Sequence, residues 1–551
     1  MKKLALGSLV FVAVYNLLFF QTDNGVGTGL LFLLLNLFYF LFKKNDSPNI
    51  NLGISCSILS TVFGFLMGFR ANEVVRFINL ISAVFFSTSA LYFYKNSFIF
   101  SFEIPKFLQI PVVALTSSIS SALSLFSSKD AASENKETGI YTALTRGLVI
   151  SVPLFLILLF LLTKADPIFN KLVSNLFSDI WQRLIVSVVI FVGLVASGAT
   201  IIREKVKEHD VTRQDASHKS YELMVILGCL SFLFAAFLIV QFNYFFSNAG
   251  ERELLELGIT SLTYSEYVRK GFFELLAVSG IAACVMLYVL KFLHKLSGNQ
   301  KLYVQILSSV LILEIVFLLI SAGQRINLYQ LAHGLTRARI FGFIFLIWLG
   351  CMLSALLVRI MKDVEKKMLF ALFIIPTVGV LFFINTINID GLIATIYKPS
   401  VNNEVDYYYL VYLSEDASPS WQEAIKDSEK TLQKLEPSKS FSTEEYRQLY
   451  WARYTLERLD NEVTYLSQKY GDYSKIKMTD EENRKYINRI RKWQSFNLGE
   501  YQSYMEILQN KDVYDQVNAL LQKATGFENA RVTDSIRQSA PLDRATQPPL
   551  L

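Results

Sequence analysis

For most of this chain, apolar positions come neither in the period of two of a strand nor in the narrow stripe of a surface helix. They form unbroken runs of roughly 20 residues, the length one helix needs to cross a bilayer core about 30 Å thick. About eleven such runs are predicted as spans, at roughly 4–20, 26–42, 52–69, 75–94, 144–163, 184–202, 221–244, 271–293, 302–323, 340–360 and 368–388. The first could also begin a signal peptide, since Lys2 and Lys3 precede it, but Phe19-Phe20-Gln21 is a poor small-residue cleavage site. It is expected to stay as helix one. The stretch 97–126 is broken by Glu103, Pro105 and Lys106 and ends Ser-rich (Ser117, Ser118, Ser120, Ser121). It reads as an interfacial segment, with a twelfth span as the alternative.

After Asp390 the pattern changes. Ser418-Pro419-Ser420 opens an amphipathic helix with Trp421, Ala424 and Ile425 on one face. Ser442-Thr443-Glu444-Glu445 opens a second, whose apolar period runs through Leu449, Ala452, Leu456, Leu459, Val463 and Leu466, flanked by Tyr446, Tyr450, Tyr454 and Tyr465. Thr479-Asp480-Glu481-Glu482 starts a third, carrying Tyr486, Ile487 and Ile490. Two shorter helices are expected over 498–509 and 511–524, and periodicity is lost from Gly526 onward. The fold class is therefore all-α: a polytopic membrane protein of about 11 spans, possibly 12, with a C-terminal soluble helical domain. The expected divisions are N-terminal membrane helices plus the interfacial segment (1–126), a membrane core with outer polar loops (127–389), an extracytoplasmic helical domain (390–525) and a disordered tail (526–551).

Composition sharpens this division. Of 551 residues, 52% are hydrophobic and 18% charged, against about a quarter charged in soluble domains. The first 389 residues hold 32 Lys and Arg against 22 Asp and Glu; the last 162 hold 21 against 25. The net +6 thus sums a basic membrane part and an acidic helical part, which argues against a nucleic-acid partner, a disordered chain and a simple soluble enzyme. With the N-terminus in the cytoplasm, inside loops collect roughly 21 basic residues against roughly 11 outside. The densest is 203–219, with Arg203, Lys205, Lys207, Arg213 and Lys219. An odd number of spans then puts the C-terminal domain outside.

Soluble-enzyme signatures are absent. The four cysteines (Cys56, Cys229, Cys284, Cys351) all fall in apolar runs, so the C-terminal domain has no disulfide framework. The four histidines (His209, His218, His294, His333) are scattered, and no metal or cofactor site is expected. Neither a Gly-rich phosphate loop nor a GxSxG elbow is present.

Polar chemistry gathers in four clusters, all assigned to the outer face by this topology. The first is Asp166-Pro167. The second runs from Tyr264 to Glu274 and includes Glu266, Arg269 and Lys270. The third is Gln324-Arg325-Ile326-Asn327-Leu328-Tyr329 followed by His333-Gly334-Leu335-Thr336-Arg337-Ala338-Arg339, and the fourth is Asn385 to Asp390, with Asn388. Arginines here can hold an anionic headgroup, phosphate or carboxylate, because guanidinium presents a fork of donors. Alternatively they pair with Glu266, Glu274 or Asp390 and lock loops together. Two acids fall inside spans: Glu274, one turn from its end, and Glu314, near a helix centre where an ionised carboxylate costs at least about 3 kcal/mol.

The blocks YSEYVRKGFFELLAV, RINLYQLAHGLTRAR, NTINIDGLIA, DYYYLVYLSEDASPS and RKWQSFNLGEY, in this order from about Asp166 to Tyr501, resemble a bacterial multi-pass membrane family, domain of unknown function 4153/4173. Where that family usually has an Asn, this chain has Tyr397. The resemblance implies a cytoplasmic-membrane architecture and supplies no reaction. Three functions are compatible with these residues. One is a binding, sensing or scaffolding protein with an outer polar pocket, contacting the bilayer, an anionic lipid headgroup or small anion, and a protein at its C-terminal domain. Another is a transporter of a small solute or lipid. The third is a transferase using a lipid-linked donor, with Asp166 or Glu266 as base.

Overall fold

The computed structural model describes most of residues 2–114 and 298–532, with individual helical positions between 187 and 296. Within it the chain forms two compact units, one of residues 1–207 and 467–501, the other of 208–466 and 502–551.

In the first unit, apolar runs become α1 (Lys2–Leu18), α2 (Gly27–Leu41), α3 (Ile50–Leu66), α4 (Glu73–Lys95) and α5 (Ile104–Ala114). Asn72 starts α4 by accepting a hydrogen bond from the Val75 amide on its Oδ1 (3.1 Å), and Glu73 sits in the first turn. Small and hydroxylated residues let α3 and α4 lie close: the Ser60 hydroxyl donates to the Ala83 carbonyl at 2.8 Å, and Phe63 stacks on Phe86 at 5.9 Å. α5 occupies the middle of the stretch expected to be interfacial, with Pro105 in its first turn, where a missing N–H costs nothing. Its continuation lies outside the described residues.

The second unit contains α6 (Gly298–His333), α7 (Arg337–Lys362), α8 (Lys366–Thr386) and α9 (Ile389–Thr395). A two-residue hairpin follows, β1 (Ser400–Val401) against β2 (Glu404–Val405). Then come α10 (Tyr407–Tyr412), a 3-10 turn (Glu415–Ser420), α11 (Trp421–Leu435) and α12 (Thr443–Tyr470), whose last turn belongs to the first unit. In the first unit lie α13 (Glu481–Ile490), a 3-10 turn (Trp493–Ser495) and the opening turn of α14 (Leu498–Gln509). α15 (Lys511–Tyr514) and α16 (Val517–Arg531) complete the second unit. Its membrane core is apolar: Leu311, Ile312, Ile315, Leu353 and Ile360 from α6 and α7 surround Leu227, Met286 and Val289. Polar ties are few. The Trp348 indole donates to the Thr377 hydroxyl at 3.0 Å, and the Gln305 amide to the Ile360 carbonyl at 2.6 Å.

Among the described residues, four helices are long and apolar enough to cross a membrane: α4, α6 as far as Gln324, α7 and α8. The chain is thus an all-α membrane protein. Apolar α1, α2 and α3 match the first three expected spans in position and are shorter than the four helices of membrane-crossing length. The expected spans 144–163, 184–202, 221–244 and 271–293 lie wholly or largely outside the described residues.

Three boundaries differ from expectation. Gln324–His333 is not a loop but the continuation of α6, because nothing between Gln324 and His333 breaks a helix; the stop comes at Gly334. The helix expected over 511–524 divides at Asp515–Gln516 into α15 and α16, and α16 passes through Gly526 to Arg531. Gly526 has open space around it, so only its modest helix propensity opposes the helix there. The start of α12 is capped by Ser442 as expected, and the cap is reciprocal: the Ser442 hydroxyl accepts from the Glu445 amide (3.3 Å), and Glu445 Oε2 accepts from the Ser442 amide (2.8 Å). Of the flanking tyrosines, Tyr446 is buried with the stripe.

Candidate functional site

The third and fourth polar clusters meet. α6 ends because Gly334 adopts φ +74°, donating its amide to the Gln330 carbonyl at 2.8 Å; a side chain there would be strained and would strike the Lys398 carbonyl. Leu335 then donates its amide to the Tyr397 carbonyl (2.9 Å), and Arg337 opens α7. On the other side Asn388 caps α9, its Oδ1 accepting from the Gly391 amide at 2.8 Å while its Nδ2 donates to the Asp416 carbonyl at 3.3 Å. That cap places Asp390 in the first turn of α9, where the helix dipole favours a negative charge.

Arg337 grips Asp390 with both arms of its fork: Nε to Oδ1 at 2.8 Å and Nη2 to Oδ2 at 2.5 Å. Ser414 adds its hydroxyl (2.5 Å) and its amide (3.2 Å) to Oδ2. Asp390 is completely buried, and the Arg337 side chain is partly exposed. The Arg337 amide donates to the Tyr409 hydroxyl (3.1 Å), a phenol whose pKa burial raises. Asp406 caps α10 by accepting from the Tyr409 amide (2.9 Å), and burial raises that carboxyl above its usual range. Arg339 donates to the Gly334 carbonyl and so closes the turn. Here the arginine fork and the carboxylate are spent on each other, and the arrangement fastens four chain segments together.

The other predicted residues are placed as follows. Arg325 lies on α6 and its side chain is outside the described residues, as are Asp166, Tyr264, Glu266, Arg269 and Glu274. Glu314 sits near the middle of α6, and its Oε2 is buried without a hydrogen-bond partner among the described residues. The Ser231 hydroxyl is likewise buried without a hydrogen-bond partner among the described residues. Among the described residues no three His, Cys, Asp or Glu side chains gather as metal ligands would.

A second polar centre, in the first unit, escaped the sequence analysis. Asn497 caps α14: its Oδ1 accepts from the Glu500 amide (3.2 Å), and its Nδ2 donates to the carbonyls of Arg70 (2.9 Å) and Met67 (3.3 Å). The Leu498 amide donates to the Gly68 carbonyl (2.8 Å), and the Val26 amide to the Phe496 carbonyl (3.1 Å). Backbones approach so closely that a Cβ on Gly25 would sit 2.6 Å from the Phe496 oxygen. Glu500 is thereby directed inward, where its Oε2 accepts from Lys469 Nζ (2.5 Å) and the Tyr470 hydroxyl (3.0 Å), with Arg76 3.7 Å from Oε1. Lys469 and Glu500 side chains are each only 3% exposed, so this is a buried ion pair. The readable signal was Asn497-Leu498-Gly499-Glu500, a cap followed three residues later by Glu. Nothing in the sequence marks its partners, which are backbone carbonyls.

Helices of membrane-crossing length, with ion pairs near their ends, mark an all-α membrane protein. The chain belongs to the family described as Domain of unknown function (DUF4153), which matches residues 55–424. No curated protein and no solved structure matches it. The match takes in the whole Arg337–Asp390 centre and stops before α12, so RKWQSFNLGEY and the Lys469–Glu500 pair lie beyond it.

Proposed function

We propose that this protein is a multi-pass protein of the bacterial cytoplasmic membrane, with its N-terminus in the cytoplasm and its C-terminal helices outside. In this reading it works as a binding or scaffolding protein rather than a catalyst. The observation that carries it is the Arg337–Asp390–Ser414 centre, where charged groups suited to hold an anion are consumed in joining α7, α9 and the segment after α10. Sidedness is supported separately within each unit. In the first, residues 494–498 seat on the turns after α1 and α3, while Lys43 and Lys95 lie at the opposite helix ends. In the second, the turn after α6 meets α9 and α10, while Lys301, Arg359, Lys362, Lys366 and Lys367 lie at the far ends of α6, α7 and α8. A cysteine replacing exposed Lys434, with Cys351 replaced by Ala, is expected to react with a membrane-impermeant maleimide in intact cells. Labelling only after lysis would refute the orientation.

Transport is the second reading, favoured by Glu314. A carboxylate oxygen and a hydroxyl buried in an apolar helix pack, without hydrogen-bond partners among the described residues, are what a solute pathway would use. Solute flux in proteoliposomes that Glu314→Gln abolishes would establish it.

A further inference from the structure

Five aromatic rings form one continuous strip on the second unit. Tyr408 lies 4.5 Å from Tyr412 and 4.7 Å from Trp451 between ring centres; Trp451 lies 5.0 Å from Tyr450, and Tyr450 lies 4.4 Å from Tyr454. None of these five rings is fully buried, and Tyr412 is exposed. The strip's position is fixed by its neighbour Tyr409, whose hydroxyl holds the amide of Arg337, the first residue of a membrane-length helix. α10 therefore lies at the end of α7. Exposed apolar side chains lie on the neighbouring segments too: Phe382 and Phe383 near the end of α8, then Ile396 and Tyr397 beyond α9. Tyr397 is tied by its carbonyl to Leu335, two residues before Arg337.

We infer that this strip is an interaction surface for the lipid headgroup layer, so that α10 and the first turns of α12 lie in the membrane interface rather than in free solution. Tyr and Trp favour that layer because their rings bury apolar area while their polar ends stay hydrated. The ties of Tyr397 to Leu335 and of Tyr409 to Arg337 set these exposed rings beside the end of a membrane-length helix, which selects lipid over a soluble partner. The flanking arginines set the lipid chemistry. Arg453 lies over Tyr454 but is paired with Glu528 at 2.7 Å, and Arg458 lies over Tyr412 but is paired with Glu462 at 2.5 Å. With these cations neutralised from within, the surface binds headgroups without a requirement for anionic lipid.

The test uses the full chain with its four cysteines replaced by alanine, in nanodiscs of phosphatidylcholine alone or with one quarter phosphatidylglycerol. A spin label is attached in turn at positions 397, 412 and 430. Labels at 397 and 412 should collide with dissolved oxygen about twice as often as with a water-soluble nickel chelate, and the label on exposed Lys430 should show the reverse. The two lipid mixtures should give the same ratios. Chelate contact dominating at 412 would overturn the inference, and protection of that label by a soluble oligosaccharide would identify a sugar-stacking surface instead. A strong rise in oxygen contact only with phosphatidylglycerol would refute the lack of charge preference.

Discussion

The two buried ion pairs solve one problem with different chemistry. In the second unit Arg337 and Asp390 meet as fork and carboxylate, two parallel bonds that fix both distance and angle. In the first unit Lys469 is a point charge, and the geometry around Glu500 is fixed instead by the Tyr470 hydroxyl, the Asn497 cap and backbones packed tightly against Gly25 and Gly68. A guanidinium carries its own directionality. An ammonium borrows direction from its surroundings, so its partners must be more numerous. Both pairs serve to hold a later segment of chain against the turns at helix ends.

The largest expected effects come from stranding a charge. Asp390→Ala and Glu500→Ala should each lower stability by about 3–5 kcal/mol, read from thermal unfolding in nanodiscs, because each removes the carboxylate that compensates a cation held largely out of water. Exchanging both partners for apolar residues, as in Lys469→Met with Glu500→Leu, should recover most of the loss. If the single variants cost no more than surface changes, the buried-pair description fails. The comparison sharpens with Arg337→Lys, which keeps the charge and loses the fork. It should still cost about 1–3 kcal/mol, whereas a pair held by charge alone would be indifferent.

Backbone strain ranks next. Gly334→Ala should destabilise by about 1–3 kcal/mol, since φ +74° and the nearby Lys398 carbonyl both oppose a side chain. Gly350→Ala, in open space within α7, should be neutral or slightly stabilising in the same melt. The caps should differ too. Asn388→Ala should cost about 1 kcal/mol. Asn497→Ala should cost more, because its amide also holds the Arg70 and Met67 carbonyls. Equal losses would show that those bonds contribute nothing.

The smallest effect is a pH dependence. Hydrogen bonding and charge from Lys398 hold the Glu423 carboxyl below its ordinary range. A depressed folded pKa means stability that is present above the unfolded carboxylate pKa and lost as pH falls through the folded value. Acidification below about pH 4.3 should therefore begin to lower the melting temperature slightly, and Glu423→Gln should flatten that slope. An unchanged slope would remove this pair from the acid response.

The sequence showed both charged members of one polar centre and neither of the other. Arg337 and Asp390 stood out because charged residues at the ends of apolar runs are conspicuous, but 53 positions separate them and no periodicity pairs them. Lys469 did not stand out at all, since a lysine near the end of an amphipathic helix looks like an ordinary solvated one. Gln324–His333 is polar yet helical, because polarity marks where a membrane ends, not where a helix does.

By itself the sequence determined the class, the main helix boundaries and the cap of α12. Unbroken apolar length, an Asn or Ser cap and a glycine stop all act over a few residues, so they are written locally. Only the tertiary structure decided which charges are buried, which carboxylate meets which cation, and that Asn497 spends its amide on carbonyls more than 400 positions away. Those outcomes depend on what each group meets when water is removed, and that depends on how distant backbone is folded around it.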